Sequence, residues 1–301
     1  MFLSMDTERL YNEYRTMLFS LAYRMLGSVA DAEDIIQEVF ITFDQMQADI
    51  HITNEKAYLC KMVTNRCINL LQSSVKQREV YIGTWLPEPL VQSRSSNLDP
   101  SEIYQQKESL STAYLLLLQQ LSATERAVFL LREIFQYPYE EIADMVGKSI
   151  INCRQIFVRA KKSIHRNPGR KPKGSKSSGV TEIQVQNFIH ALIDGDTGTL
   201  LNLLAKDAIH YSDGGGKAHA VLSPVVGVGN IIHFYEQVMQ WFKVNRGRYS
   251  YQVATVNGSP GILLSIDGRI SYVYSIEIVN DRMQRIYATS NPDKLKHIQL
   301  N

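Results

Sequence analysis

The chain has 301 residues, is 45% hydrophobic and 21% charged, and carries a net charge of +2. That length suggests two or three domains, and that composition is ordinary for a soluble protein with a real core. No run of about 18 apolar residues exists, so no membrane span is expected.

The N-terminus, "MFLSMDTERL", meets acidic residues at once, and no signal peptide is expected there. Cys60, Cys67 and Cys153 form no CxxC pair and are odd in number. This points to a reduced, cytoplasmic protein without a disulfide framework or zinc knuckle. Charge is unevenly placed: seven acids and no Lys or Arg lie between Arg24 and Lys56, whereas ten Lys or Arg and no acid lie from Lys148 to Lys176. A basic block beside an ordered motif suggests nucleic acid.

In "DAEDIIQEVFITFDQM" the residues Ala32, Ile35, Ile36, Val39, Phe40 and Phe43 follow a three-four spacing, which predicts an amphipathic helix with Asp31 as its cap. The next helix, "EKAYLCKMVTNRCINLLQSSVKQ", has the apolar stripe Leu59, Met62, Val63, Cys67 and Leu70. Its polar ridge is Lys61, Asn65, Asn69 and Gln72, with Arg66 beside it. The polar loop "QADIHITN" lies between the two helices. Lys56, Lys61, Asn65 and Arg66 offer donors, and His51 and Tyr58 offer stacking surfaces, for single-stranded bases. A solvated helix face is the plainer reading of that ridge taken alone.

"WLPEPLVQSRSSNLDPSE", with three prolines and a serine cluster, reads as a linker. "LSATERAVFLLREIF" opens on a capping box, Ser122 followed by Glu125. "PYEEIADMVGKSIINCRQIFVRAKKSI" then predicts a helix over Tyr139–Met145, a turn at Gly147 and a basic helix from about Ile150 to His165. This is a helix-turn-helix pattern. The N-terminal part of its second helix offers Arg154 and Gln155, which suit guanine and adenine edges in the major groove. Arg159, Lys161 and Lys162 suit phosphates. "NPGRKPKGSKSSG" reads as a second, basic linker.

The last segment opens with a helix bearing Val185, Phe188, Ile189 and Leu192. Four alternating runs follow, joined by the turn signals Asn257-Gly258, Asp267-Gly268 and Asn280-Asp281. They predict an antiparallel meander in an α+β layer. "YSDGGGKAHA" invites a phosphate-loop reading, but its spacing is wrong. The first glycine of that motif falls on Tyr211, and Ala218 follows the lysine without a hydroxyl for magnesium. With "AIHYS" and "AHAVLS" read as strands, Asp213–Lys217 is a hairpin-like turn. His210, Asp213 and His219 are candidate polar groups for a catalytic pocket, yet no ordered triad or metal spacing emerges. No catalytic residue, metal or cofactor is expected.

"YRMLGSVADAEDIIQEVFITF" with "AYLCKMVTNRCINLL" resembles region two of extracytoplasmic-function (ECF) sigma factors, and the stretch from "LSATERAVF" to "RAKKSI" resembles their region four. The last segment is similar to the SnoaL-like (NTF2-like) domain fused to one subgroup, which carries "WLPEP", "DGGGK" and "NPDKL". Here these are Trp85–Pro89, Asp213–Lys217 and Asn291–Leu295. The resemblance implies two all-α domains, a helical bundle over 1–84 and a helix-turn-helix over 109–167. A linker over 85–108 joins them. A flexible basic linker over 168–179 leads to an α+β cone domain over 180–301.

The resemblance also implies roles. Asp31, Asp34, Gln37 and Glu38 would grip the β′ clamp helices of core RNA polymerase, and the β flap would be a second contact. His51, Asn54, Lys56, Lys61, Asn65 and Arg66 would bind the −10 element, and Arg154, Gln155, Val158, Arg159, Lys161 and Lys162 the −35 element. Trp85, Pro87, Pro89, Asp213, Gly214, Gly215, Gly216, Lys217, Asn291, Pro292, Asp293, Lys294 and Leu295 would regulate, with Asp293 capping the final turn. One departure is "SIINCR", where Cys153 stands for the usual valine and a small packing difference is expected. The resemblance leaves room for a small ligand in the last domain. The alternative function is a DNA-binding regulator whose last domain is a small-molecule sensor or enzyme.

Overall fold

The computed structural model describes residues 4–46, 52, 54–73, 81–92, 111–165 and 179–298. These fall into two compact units. The first is drawn from residues 4–73 and 113–165; the second from 81–92, 111–112 and 179–298. Residues 81–92 therefore fold with the C-terminal unit, although they stand between the two helical segments in sequence.

The first unit is all helix. α1 (Met5–Leu26) starts on Ser4, whose Oγ accepts from the Thr7 amide, and ends on Gly27 at φ 70°. α2 (Val29–Met46) buries Ala32, Ile35, Ile36, Val39, Phe40 and Phe43, as the spacing predicts. Its cap is Ser28 rather than Asp31: Ser28 Oγ accepts from the Asp31 amide at 3.2 Å. The helix starts one turn earlier than its apolar pattern, so Asp31 falls inside the first turn. α3 (Glu55–Ser73) buries Leu59, Cys60, Val63, Thr64, Cys67 and Leu71. Met62 and Leu70 of the expected stripe are only half-buried. The buried face is broader because α3 packs against α1 and α2 and also against the helix-turn-helix part.

That part comprises α4 (Thr112–Leu118), α5 (Ala123–Glu133), α6 (Tyr139–Val146) and α7 (Ile150–His165). The capping box forms, with Ser122 Oγ accepting from the Glu125 amide and Glu125 Oε2 from the Ser122 amide. Gly147 closes α6 at φ 63°, a left-handed conformation that costs glycine nothing. Cys153, Ile156 and Ala160 bury one face of α7. Arg126, only 2% exposed, ties α5 to α1 by donating to the Met25 carbonyl. All three cysteines are buried, and burial pushes the Cys60 thiol up to about 11. Such thiols are poor nucleophiles.

The second unit is α+β. α8 (Gly179–Asp194) and α9 (Thr197–Leu203) lead into β2 (Leu204–Asp213) and β3 (Val225–Val226). α10 (Val228–Val244) follows, then β4 (Tyr249–Val256), β5 (Ser259–Ile266), β6 (Arg269–Val279), β7 (Arg282–Thr289) and α11 (Pro292–Leu295). The linker supplies β1 (Val91–Gln92) at one edge, and the seven-stranded order is β1-β4-β5-β6-β7-β2-β3. The hairpin turns form as predicted: Asn257, Gly258, Asp267, Gly268, Asn280 and Asp281 all have positive φ.

The meander β4–β7 is antiparallel throughout, as predicted. β2, outside it, runs parallel to β7, which makes the whole sheet mixed. One expectation is corrected: no strand forms over "AHAVLS". Gly214 O accepts from the amides of both Lys217 and Ala218, so the chain turns back sharply, and pairing with β2 resumes only at β3. One sheet face packs on α8 and α10 through Phe188, Ile231, Tyr235 and Phe242. Each such fully buried side chain contributes about 1.5–3 kcal/mol. The other face carries Val256, Leu263, Val273 and Leu295, with Val91 packed against them. None of the described helices is long and apolar enough to cross a membrane.

Candidate nucleic-acid interface and linker clasp

α7 presents an exposed ridge of Arg154, Gln155, Val158, Arg159 and Lys162. These positions recur at helical spacing opposite Cys153, Ile156 and Ala160, so packing one face fixes the other outward. Tyr139, at the head of α6, holds the ridge's first residue: Arg154 lies 5.5 Å and Arg132 4.8 Å from its ring centre. Sequence reasoning missed Tyr139, because a lone aromatic in a helix start carries no signal. Lys161 departs from the ridge. It pairs with Glu133 at 3.2 Å and lies over the Phe157 ring.

On α2, Asp31, Asp34, Gln37 and Glu38 are all exposed along one face. Across from it on α3, Arg66 donates to Thr42 Oγ1 at 2.7 Å and lies 3.6 Å from Glu38. Lys61 Nζ lies 2.9 Å from Asp144 Oδ2 on α6. Lys56 sits over the Tyr137 ring, and Asn65 is exposed. Asn54 caps α3, its Oδ1 accepting from the Ala57 amide at 3.0 Å. His51, and most of the loop that holds it, lies outside the described residues. The α3 ridge is therefore partly covered by the helix-turn-helix within the same unit.

The second unit contains a buried polar centre built on Asp213, at the end of β2. Its carboxylate accepts from the Leu86 amide at 2.7 Å, from the Tyr81 hydroxyl, and from Lys294 Nζ at 2.7 Å. The side chains of Lys294 and Asp213 are 7% and 0% exposed. Lys294 also donates to the Leu86 carbonyl, and its ammonium lies 4.1 Å from the Trp85 ring centre and 5.0 Å from that of Tyr81. Burial, and then the bond to Asp213, push the Tyr81 phenol up, which keeps it a donor. Pro87 and Pro89 are buried, and the Pro89 carbonyl accepts from His297 Nε2 at 2.9 Å. "WLPEP", "DGGGK" and "NPDKL" thus meet at one place.

The glycine turn is shaped by this contact. Gly215 has φ 57°, and a Cβ there would stand 2.2 Å from Asn291 Nδ2 and 3.0 Å from the Tyr81 hydroxyl. Lys217 pairs with Asp293 at the surface, and that ammonium holds the Asp293 carboxyl down to about 2. Asp293 is not the cap of the final turn. Asn291 is, its Oδ1 accepting from the Asp293 amide, because Pro292 takes the first helical position.

A second anchor lies along the linker. Asn257 accepts from the Leu90 amide at 2.7 Å, its own amide donates to the Leu90 carbonyl, and its Nδ2 donates to Thr112 Oγ1 at 3.1 Å. Tyr81, Leu86, Asn257 and Thr112 were illegible in the sequence as site residues. A backbone amide and a turn asparagine announce no long-range partner.

His210, Asp213 and His219 do not converge. Successive β2 residues point to opposite faces. His210 and Ser212 line a cavity beneath α10, with the exposed His219 on its wall, whereas Asp213 serves the linker.

Two family models match the helical part: Sigma-70 region 2 over residues 10–77 and Sigma-70, region 4 over residues 111–164. The ECF RNA polymerase sigma factor SigJ of Mycobacterium tuberculosis is 30% identical over 292 residues, covering 94% of this chain and 91% of that protein. The probable ECF RNA polymerase sigma factor SigI of the same species is 26% identical over 289 residues, covering 95% and 93%. The crystal structure of M. tuberculosis SigJ matches with a TM-score of 0.75 at 27% identity, covering 97% of this chain and 99% of that one. The likeness runs through the helical unit, the linker and the α+β unit alike. The chain belongs to the ECF RNA polymerase sigma factors, the non-enzymatic initiation factors that bind core RNA polymerase and promoter DNA.

Proposed function

We propose that the C-terminal unit regulates this sigma factor by gripping the linker between its two DNA-reading parts. In this reading the α7 ridge, led by Arg154 and Gln155, reads the −35 element in the major groove. α3 and the loop before it, with Asn54, Lys56, Lys61, Asn65 and Arg66, open and hold the −10 strand, which needs pockets for unstacked bases rather than a duplex groove. His51 joins them on the resemblance alone. The acidic face of α2 docks on the β′ clamp helices, and the helix-turn-helix part contacts the β flap. The protein acts in the cytoplasm, where polymerase and promoter are.

The observation that carries the regulatory reading is the buried Asp213–Lys294 pair closed over Leu86. The two promoter elements lie on the order of two helical turns apart, about 70 Å. Within the first unit α3 packs on α6, and Lys61 is held by Asp144. A chain so folded does not reach both elements at once, so the helix-turn-helix must leave α3 and the linker must extend. Residues 81–92 extend only when the clasp lets go. A tethered domain meets its linker at high effective concentration, so the clasp re-forms readily.

Run-off transcription with core RNA polymerase tests this. Asp213→Ala is expected to raise transcript yield at limiting protein, from the same start site. Unchanged yield with the linker demonstrably released would overturn the regulatory reading.

A further inference from the structure

We infer that the cavity beneath α10 is a binding site for an uncharged, flat, ring-built molecule carrying a carbonyl-type acceptor oxygen. The cavity measures about 620 Å³. Pockets for small molecules run from roughly 300 to 1,000 Å³. Its walls are largely aromatic and aliphatic: Phe234, Val238, Trp241, Phe242, Leu264 and Tyr274. Faces of this kind favour flat rings, which stack on them.

The polar end decides the chemistry. His210 is 2% exposed; its Nε2 lies 2.9 Å from Ser212 Oγ and its Nδ1 3.1 Å from the Tyr235 hydroxyl. Burial pushes the imidazole down to about 3, so it is neutral and carries a single N–H. The Tyr235–His210–Ser212 chain therefore holds three donor hydrogens and makes two internal hydrogen bonds. One hydrogen is surplus in either tautomer. If Nδ1 accepts from Tyr235, then Nε2–H donates to Ser212 and the Ser212 hydroxyl is left over. If Nε2 accepts from Ser212, the Tyr235 hydroxyl is left over. A buried donor without an acceptor is costly, and a ligand oxygen supplies that acceptor.

Charge argues for neutrality. Among the described residues no carboxylate lines the cavity, and Arg248 on its wall is already committed to Asp267 through two hydrogen bonds. A charged ligand would be buried without a counter-ion. The same features argue for binding rather than turnover. The wall offers no carboxylate base, and a histidine so hard to protonate is a weak one. The inference concerns this cavity alone and does not depend on the clasp.

The test uses the full chain and the uncharged naphthyl ketone prodan, whose emission reports the polarity of its site. Saturable binding at one site per chain with blue-shifted emission is expected. The analogue with its carbonyl replaced by a methylene is expected to bind about tenfold more weakly. Ala288→Leu and Val238→Phe each place carbon inside the cavity and should abolish binding with circular dichroism unchanged; if one misfolds, the other decides. Absence of saturable binding, equal binding of the methylene analogue, or full binding by the folded filled variant would each overturn the inference. None of these readouts involves transcription, so they stand or fall apart from the regulatory reading.

Discussion

The clasp makes a prediction with a sign that few other arrangements share. Asp213→Ala takes the carboxylate away from a Lys294 ammonium that is almost fully buried and that also donates to the Leu86 carbonyl. Removing one member of a buried pair costs about 3–5 kcal/mol, most of it the unpaired charge. Lys294→Met leaves the carboxylate, but that still accepts from the Leu86 amide and the Tyr81 hydroxyl. Its cost should be the smaller. The double variant removes both charges, so it should be less destabilised than the two single losses added, by about 1–3 kcal/mol. Trp85 reads the result directly. The chain has two tryptophans, so Trp241→Phe leaves Trp85 as the sole indole. Linker release should red-shift its emission, and urea titrations of the four proteins give the cycle. Additivity within about 0.5 kcal/mol would refute a coupled buried pair.

Other predictions follow from single residues. Arg154→Ala should weaken promoter binding by about 1–3 kcal/mol and relax preference at one −35 position, measured by competition among variant duplexes. Lys61→Ala should reduce transcription from duplex promoter more than from a template already melted at −10; equal loss on both would remove Lys61 from strand opening. His210 titrates near 6.5 when unfolded and at about 3 when folded, so the unfolded state binds the extra proton between those values. Stability should therefore fall as pH drops below 6.5, by about 2 kcal/mol at pH 5, and His210→Gln should flatten that slope in thermal melts of the C-terminal unit. Gly215→Ala should loosen the clasp through its clash with Asn291, seen as a red shift of Trp85 without loss of secondary structure.

The helices and hairpins were readable because their causes are local. Three-four spacing placed the core face of α2, the Ser122–Glu125 pair placed the start of α5, and Asn-Gly and Asp-Gly placed the turns of the meander. The ridge of α7 followed, since its buried face dictates its exposed one. What was not readable is long-range. Parallel pairing of β2 with β7 depends on where distant strands meet, and nothing in "AIHYS" encodes it. Asp213 invited a catalytic reading from its nearness to His210, yet alternation along β2 sends the two side chains to opposite faces. The role of Lys294 as a buried partner, 81 residues from Asp213, is invisible until the sheet places them together. Caps displaced by two or three residues, Ser28 for Asp31 and Asn291 for Asp293, reflect helix starts that turn on local geometry rather than on composition.

The most direct measurement for the account as a whole is run-off transcription on fragmented genomic DNA with core RNA polymerase, followed by sequencing of transcript 5′ ends. The intact protein and the Asp213→Ala variant are compared side by side. The account predicts start sites that depend on the protein, share two upstream motifs about two helical turns apart, and are used more heavily by the variant without moving. Absence of protein-dependent starts, or identical yields from both proteins once Trp85 shows the linker free in the variant, would contradict it.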